Sequence, residues 1–541
     1  MSLGRAAAVA LVGLNGHLVE VEADLGGGLP GFVLLGLPDA SLAESRDRIR
    51  AAARNSGMPL SARRITVNLV PASLPKRGSA FDLAIVVASL AAAGDIAAPP
   101  GVVYLAELGL DGYLRPVAGI LPAVMAAVAS GRPRVVVAEG NAAEARLVPG
   151  AKVTAFGHLA DVLAEFGADP AKLERPAPAP AWAERSDDGN LRNRASAGTP
   201  DKAPRAPGAP RAPGAPGAAG APDLADIAGQ EQARYALEVA AAGGHHLLMV
   251  GPPGAGKTML AERLPGLLPD LTDREAMETT AIHSLAGGGG PVDRLIRRPP
   301  FENPHHSAST PALIGGGSGL PRPGAASRAH RGVLFLDEAP EFSAKALDSL
   351  RQPLESGQLT LHRAAGAATY PARFQLVLAA NPCPCGLSSG KGRDCRCSPM
   401  QRIRYFQRLS GPLLDRIDLQ ITVARVTAGH LRSASPGEGS AAVARRVATA
   451  RQQQVERLAA VGLARNAELG GSLLRGPLRL PADATASLDR AMDHGTLTAR
   501  GYDRVLRIAW TVSDLAGRSR PQAADVDVAF QLRHPAQGEA A

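Results

Sequence analysis

GPPGAGKT, residues 251–258, follows the apolar run LLMV and opens into the helical-looking MLAERLPGLL. The string fits G-x-x-x-x-G-K-[ST] in the strand, loop and helix context that this motif requires. Gly251, Pro252, Pro253, Gly254, Ala255, Gly256, Lys257 and Thr258 are therefore the expected cradle for a nucleotide's phosphates. The glycines let backbone N–H groups turn inward around phosphate oxygens, and the following helix presents its positive end to the same charge. Lys257 is expected to reach the β- and γ-phosphates of ATP, and the Thr258 hydroxyl to ligate Mg²⁺.

Downstream, VLFLDE at 333–338 sets four apolar residues before Asp337 and Glu338. At a strand end, Asp337 completes the Mg²⁺ shell and Glu338 polarises the attacking water. A third apolar run, FQLVLAA, ends at Asn381, an amide placed to sense the γ-phosphate or its water; taken alone, such an asparagine is a turn former. Apolar runs that each end in a polar residue predict buried parallel strands with functional groups at their carboxyl ends. With SGPLLDRIDL after them, this order resembles an AAA+ ATPase.

The 541 residues include 60 glycines and 45 prolines, nearly a fifth of the chain against about 12% in average usage. Much of the proline lies between Pro176 and Pro222, an Ala/Pro/Gly/Arg tract without hydrophobic periodicity that reads as a flexible tether. Before it, β-like runs (HLVEVEADL, GFVLLGL, RITVNLV, RVVVAE) alternate with helical stretches, the pattern of an α/β or α+β domain. From about Val426 onward the pattern is helical and predicts a lid. The net charge of +9 suits a polyanionic partner without demanding one. The start of the chain shows no convincing cleavage site and no apolar run reaches membrane-spanning length, so the expectation is a soluble, cytoplasmic protein.

The segments FENPHHSAS, ALIGGG, LRQPLESGQLT, AANPCPCG, RYFQRLSGPLLDRIDL and ARGYDRVLRIA resemble the ComM/YifB family of magnesium-chelatase-like AAA+ proteins. The likeness extends to GLPDASLAESRDRIRAA, NLVPASLPKRGSAFDLAI and ELGLDGYLRPVAGILPA in the amino-terminal half. It implies an α/β architecture: a Lon-protease-like (S5-type α+β) domain at 1–172, a linker at 173–222, an AAA+ P-loop core at 223–425 and a helical lid at 426–541. It makes Asn381 the sensor-1 residue, Arg416 an arginine finger acting on a neighbouring subunit's ATP, and Arg500 the sensor-2 arginine. Without the family, each arginine reads as a surface ion pair. The resemblance further implies a homo-hexamer working on single-stranded or branched DNA, with recombination proteins as candidate partners and no membrane.

By its resemblance to the Lon fold, Ser79, in PKRGSAFDL, stands where a Lon-type peptidase has its nucleophile, and Leu121, in GYLRPVAGILPA, stands in place of the lysine base. A serine without its base is a weak nucleophile, so a binding or oligomerisation domain is expected. Trp510 and His362 also depart from the family pattern, where arginine and serine are expected. His305 and His306 lack matched ligand spacing and read as a structural or substrate-contacting loop.

The four cysteines, Cys383, Cys385, Cys395 and Cys397, fall in one short window, which favours a metal site over disulfide scaffolding. Four thiolates can close one structural tetrahedral Zn²⁺ site; four free thiols are the alternative. Around them Lys391, Arg393, Arg396, Arg402, Arg404 and Arg408 face a single acid, Asp394, with Tyr405 and Phe406 interleaved. That mixture fits DNA contact through phosphates and base stacking, or an inter-subunit contact. Two rival functions stand beside a DNA motor: a chelatase-type motor remodelling a partner protein, and a nucleotide-regulated scaffold.

Overall fold

The computed structural model describes residues 3–27, 29–36, 40–74, 76, 78–177, 222–287, 292–317, 321–363, 366–388, 395–426 and 437–534. Most of the expected tether, together with Lys391, Arg393 and Asp394, lies outside the described residues. The chain divides into two compact units, Met1–Ala212 with His283–Leu295, and Pro213–Ile282 with Ile296–Ala541.

The first unit is built on a seven-stranded mixed sheet. Its order is Gly31–Leu35, Arg64–Val70, Asn15–Gly26, Leu3–Val12, Val102–Leu105, Arg134–Ala138, Lys152–Phe156. The opening apolar stretch of the chain is thus a strand, paired antiparallel with Asn15–Gly26. A Cβ at Gly4 would collide with the Ala88 carbonyl, so glycine is what lets the buried helix Asp82–Ala93 lie directly on this strand. Ordered contacts continue past residue 172: Leu173 packs against the core, the Glu174 N–H donates to Ser56 O, and the Tyr113 hydroxyl donates to Pro176 O. The Ser79 hydroxyl donates to Glu107, and Leu121 is fully buried, a hydrocarbon that can take no proton. Lys76 is also buried and spends its ammonium on the carbonyls of Gly36 and Pro71.

The second unit holds a five-stranded parallel sheet in the order Phe301–Glu302, Val333–Leu336, Gln375–Ala380, Leu247–Val250, Leu419–Thr422. Strands buried on both faces need apolar residues at every position rather than alternation, and VLFL and QLVLAA are buried throughout. Each fully buried leucine or phenylalanine here stabilises by about 1.5–3 kcal/mol relative to exposure. Such a mixed α/β unit with a parallel core is consistent with a P-loop AAA+ fold.

Helices Ser440–Leu458, Ala482–Asp493, Ala499–Leu515 and Ala523–Arg533 follow. Helix Ala499–Leu515 buries Val505, Ile508, Ala509 and Val512 along one face, the spacing its sequence carries. Trp510 is buried under the Arg457 guanidinium, 4.6 Å from the ring centroid, so this departure from the family pattern fills a packing position. Among the described residues no helix is long and apolar enough to cross a membrane.

A buried ionic network ties this helix to the sheet. Asp418 is 1% exposed, lies 2.8 Å from His245 Nδ1, and accepts from Arg504; His245 Nε2 meets the Thr511 hydroxyl at 2.8 Å. Burial works to raise the Asp418 carboxyl, but the His245 hydrogen bond and the Arg504 and Arg507 guanidiniums hold it well below the usual carboxylate range. Removing one partner of a buried pair leaves the other uncompensated, so Asp418→Asn is expected to cost about 3–5 kcal/mol in urea unfolding at neutral pH. A carboxylate with a depressed folded pKa stabilises fully above its unfolded value and loses that contribution as pH falls toward the folded one. The gap between the two proteins should therefore be complete at neutral pH and shrink below about pH 4. An equal gap across that range would remove the charge argument.

Candidate ATP site

The site forms where three adjacent strands of the second unit end. Strand Leu247–Val250 delivers residues 251–256, and helix Lys257–Leu267 begins at the motif lysine. Gly254 and Gly256 have φ of +75° and +87°, and a Cβ on Gly251 would strike the Val423 carbonyl. The glycines thus supply left-handed turns and close backbone approach, which other residues could adopt only with strain.

Lys257 Nζ donates to Gly251 O at 2.6 Å, Pro252 O at 3.1 Å and Asn381 Oδ1 at 3.2 Å. Burial lowers its pKa while Asp337 and Glu338 oppose that shift. The Thr258 hydroxyl donates to Asp337 Oδ2 at 2.8 Å, placing both expected magnesium ligands side by side. Asp337 and Glu338 follow strand Val333–Leu336, and Asn381 follows strand Gln375–Ala380. All five residues, from three separated sequence segments, therefore converge. Their donor set suits ATP and Mg²⁺: an ammonium for phosphate, a hydroxyl and a carboxylate for the cation, and a second carboxylate for water.

Glu338 sits at φ +50°, a left-handed conformation for a non-glycine residue, and its N–H donates to Asp337 Oδ1 at 2.9 Å. Strain of this kind persists only where surrounding structure imposes it. His306 Nδ1 lies 3.1 Å from Glu338 Oε2, and the His305 and His306 ring centroids are 4.1 Å apart with the rings tilted by 34°. The histidine loop read as structural or substrate-contacting therefore touches the Glu338 carboxylate. Its sequence gave no sign of this, because the two residues lie on different strands' ends.

Gln230 was not singled out by the motif reading. It has φ +56°, and its side-chain amide donates to Ala255 O at 2.6 Å and Ala424 O at 3.0 Å, pinning the phosphate loop to the exit of the edge strand. The one local signal is a glycine-glutamine pair just before helix Glu231–Gly243.

The expected arginines lie apart from this cluster. Arg416 pairs with Glu355 and donates to Pro412 O, and burial lowers its pKa, followed by the repulsion of Arg351, Arg504 and Arg500. Arg500 is exposed and pairs with Asp415 at 3.1 Å. The two arginines thus share one neighbourhood through adjacent residues 415 and 416.

The cysteine sulfurs all lie within 4.8 Å of one another. The basic segment beside them needs correction. Tyr405 is buried and Phe406 is half-buried against the core, because the helical period of Pro399–Gln407 turns them inward, so the Tyr405 ring is closed to stacking on bases. Arg408 is engaged by Glu341 at 2.9 Å and by Pro340 O at 3.1 Å. Arg402 donates to Cys397 O, whereas Arg396 and Arg404 are exposed beside Met400 and Ile403. His362 lies in the two-stranded ribbon Gln358–Arg363 with Gly366–Pro371.

Known families match along most of the chain. Magnesium chelatase, subunit ChlI, matches residues 223–431; subunit ChlI of Mg-chelatase matches 21–141; and its C-terminal family matches 437–533. The chain is 48% identical to an uncharacterized protein, Rv2897c, of Mycobacterium tuberculosis, over 98% of this chain and 99% of that one. It is 42% identical to competence protein ComM of Haemophilus influenzae (96% and 95% covered) and 41% identical to the uncharacterized protein YifB of Escherichia coli (95% and 94% covered).

Proposed function

The chain belongs to the ComM/YifB family of magnesium-chelatase-like AAA+ ATPases, and from that premise we propose that it is an ATP-driven ring motor acting on DNA. The observation that carries the motor reading is the joined set Lys257–Asn381 and Thr258–Asp337 with Glu338 beside it, which brings together the groups for phosphate, Mg²⁺ and the attacking water. ATP and Mg²⁺ are its cofactors, and Zn²⁺ closes the cysteine cluster. Arg416, offered to a neighbour's ATP, calls for a homo-hexamer, with Arg500 linking nucleotide state to the helical lid.

DNA as the track is supported by the likeness to a competence protein over nearly the whole chain and by the exposed Arg396 and Arg404. The task on this reading is branch migration or unwinding of recombination intermediates in the cytoplasm during uptake of foreign DNA, alongside recombination proteins. The amino-terminal unit serves as a Lon-like binding or assembly domain without peptidase action. A second reading, a motor remodelling a partner protein for metal insertion, rests on the matches to magnesium chelatase.

ATP turnover measured with and without forked or four-way DNA separates the two. A DNA motor is stimulated several-fold and displaces labelled strands, and Arg402→Glu with Arg404→Glu weakens both effects. Turnover indifferent to DNA, with no strand displaced, sinks the DNA reading and favours the partner-remodelling one.

A further inference from the structure

We propose that Cys383, Cys385, Cys395 and Cys397 hold one Zn²⁺ whose loop braces the ATP site, so that metal occupancy governs the rate of ATP hydrolysis. The inference deepens the ATPase reading and rests on it.

The sulfur geometry argues for the metal. Cys383 and Cys385 sulfurs are 3.3 Å apart, and each lies 3.7 Å from the Cys395 sulfur. A disulfide would bring a pair to about 2.05 Å. A zinc about 2.3 Å from each ligand sets tetrahedral sulfurs about 3.8 Å apart, close to the two 3.7 Å edges that meet at Cys395. The tight C-x-C spacing is met by a turn in which Gly386 adopts φ +76° and donates its N–H to Cys383 O at 2.9 Å. Four thiolates leave no open coordination position, so the ion's role is structural.

Its placement argues for coupling. Pro382 alone separates Cys383 from Asn381, whose Oδ1 accepts from Lys257. The Gly251 N–H donates to Ala380 O, joining the phosphate loop to the same strand end. On the other side of the turn, a Cβ on Gly386 would lie 2.6 Å from Pro253 Cγ and Cδ and 4.0 Å from Asn381 Cγ. The cysteine turn therefore rests against both the phosphate loop and the residue that meets the lysine. Cys395 and Cys397 lead into helix Pro399–Gln407, which Ser398 caps and Tyr405 anchors in the interior. The ion ties the turn to that helix. Without it the turn keeps its own bonds, Gly386 N–H to Cys383 O and Ser388 Oγ to Pro382 O. Groups displaced by about 1 Å at a reacting centre can cost about 100-fold in rate.

The experiment uses the full chain. Elemental analysis should find one zinc per chain, and cobalt replacement should give the thiolate charge-transfer and strong visible bands of a tetrahedral four-sulfur site. Releasing the zinc with a thiol-directed mercurial, then reversing with dithiothreitol and Zn²⁺, should lower and restore kcat by about 10- to 100-fold, with a smaller change in affinity for a fluorescent ATP analogue. Gly386→Ala should keep its zinc yet lower kcat, since the new methyl must push Pro253. A chain with reduced thiols that takes up neither zinc nor cobalt overturns the site. Unchanged turnover after zinc release, or in zinc-loaded Gly386→Ala, overturns the coupling. A zinc-loaded native chain that hydrolyses no ATP overturns the ATPase reading instead, and the coupling with it, while the metal and its cobalt spectrum would still mark the site.

Discussion

Glu338→Gln is expected to bind ATP about as tightly as the native chain and to hydrolyse it about 10²- to 10⁴-fold more slowly, the range for loss of a positioned general base. The substitution preserves shape and removes only the carboxylate's capacity to draw a proton from water. It leaves Lys257 on its loop and Thr258 beside Asp337, so the phosphate and Mg²⁺ contacts persist. It also leaves the left-handed backbone at 338, which is set by the turn after strand Val333–Leu336 and by the bond from the 338 N–H to Asp337. His306 is 3.1 Å from the carboxylate and would meet an amide in its place. Phosphate release and binding of a fluorescent ATP analogue, measured on the same preparation, check both halves. Residual turnover above about a tenth of native would mean that Glu338 is not the group that activates water.

Much of that site was legible because its chemistry is local in sequence. A phosphate cradle needs consecutive backbone N–H groups, so Gly251 to Thr258 must be contiguous, and the apolar runs before Asp337 and Asn381 declare buried strands by composition alone. What escaped notice depends on contacts between distant segments. Gln230 reaches Ala255 and Ala424 only once the sheet has formed, and His306 meets Glu338 only because strands Phe301–Glu302 and Val333–Leu336 are neighbours. Strand Leu3–Val12 was obscured by its alanines, which are poor strand formers. The basic run beside the cysteines read as one surface. Helical periodicity divides it, sending Tyr405 inward and leaving Arg404 out, and Glu341, remote in sequence, takes Arg408.

Arg416→Ala is expected to lower turnover about 10³-fold or more, as loss of an arginine finger does, while sparing ATP binding. In the folded chain Arg416 contacts Glu355 and Pro412 O rather than the Lys257 cluster, as befits a guanidinium that serves another subunit's nucleotide. Glu355 is largely exposed, so breaking that pair should cost no more than about 1 kcal/mol, and the variant should unfold near the native midpoint. A stability defect therefore cannot stand in for a catalytic one. The decisive measurement mixes Arg416→Ala with Glu338→Gln. In a ring assembled at random, about a quarter of the interfaces join an intact Glu338 on one chain to an intact Arg416 on the next, so two inactive proteins should recover a corresponding share of native turnover. An arginine acting within its own chain gives no recovery at any ratio, because each chain then carries a complete defect. Recovery would place Arg416 across a subunit boundary and, by the same measurement, require that the active species be an assembly rather than a single chain.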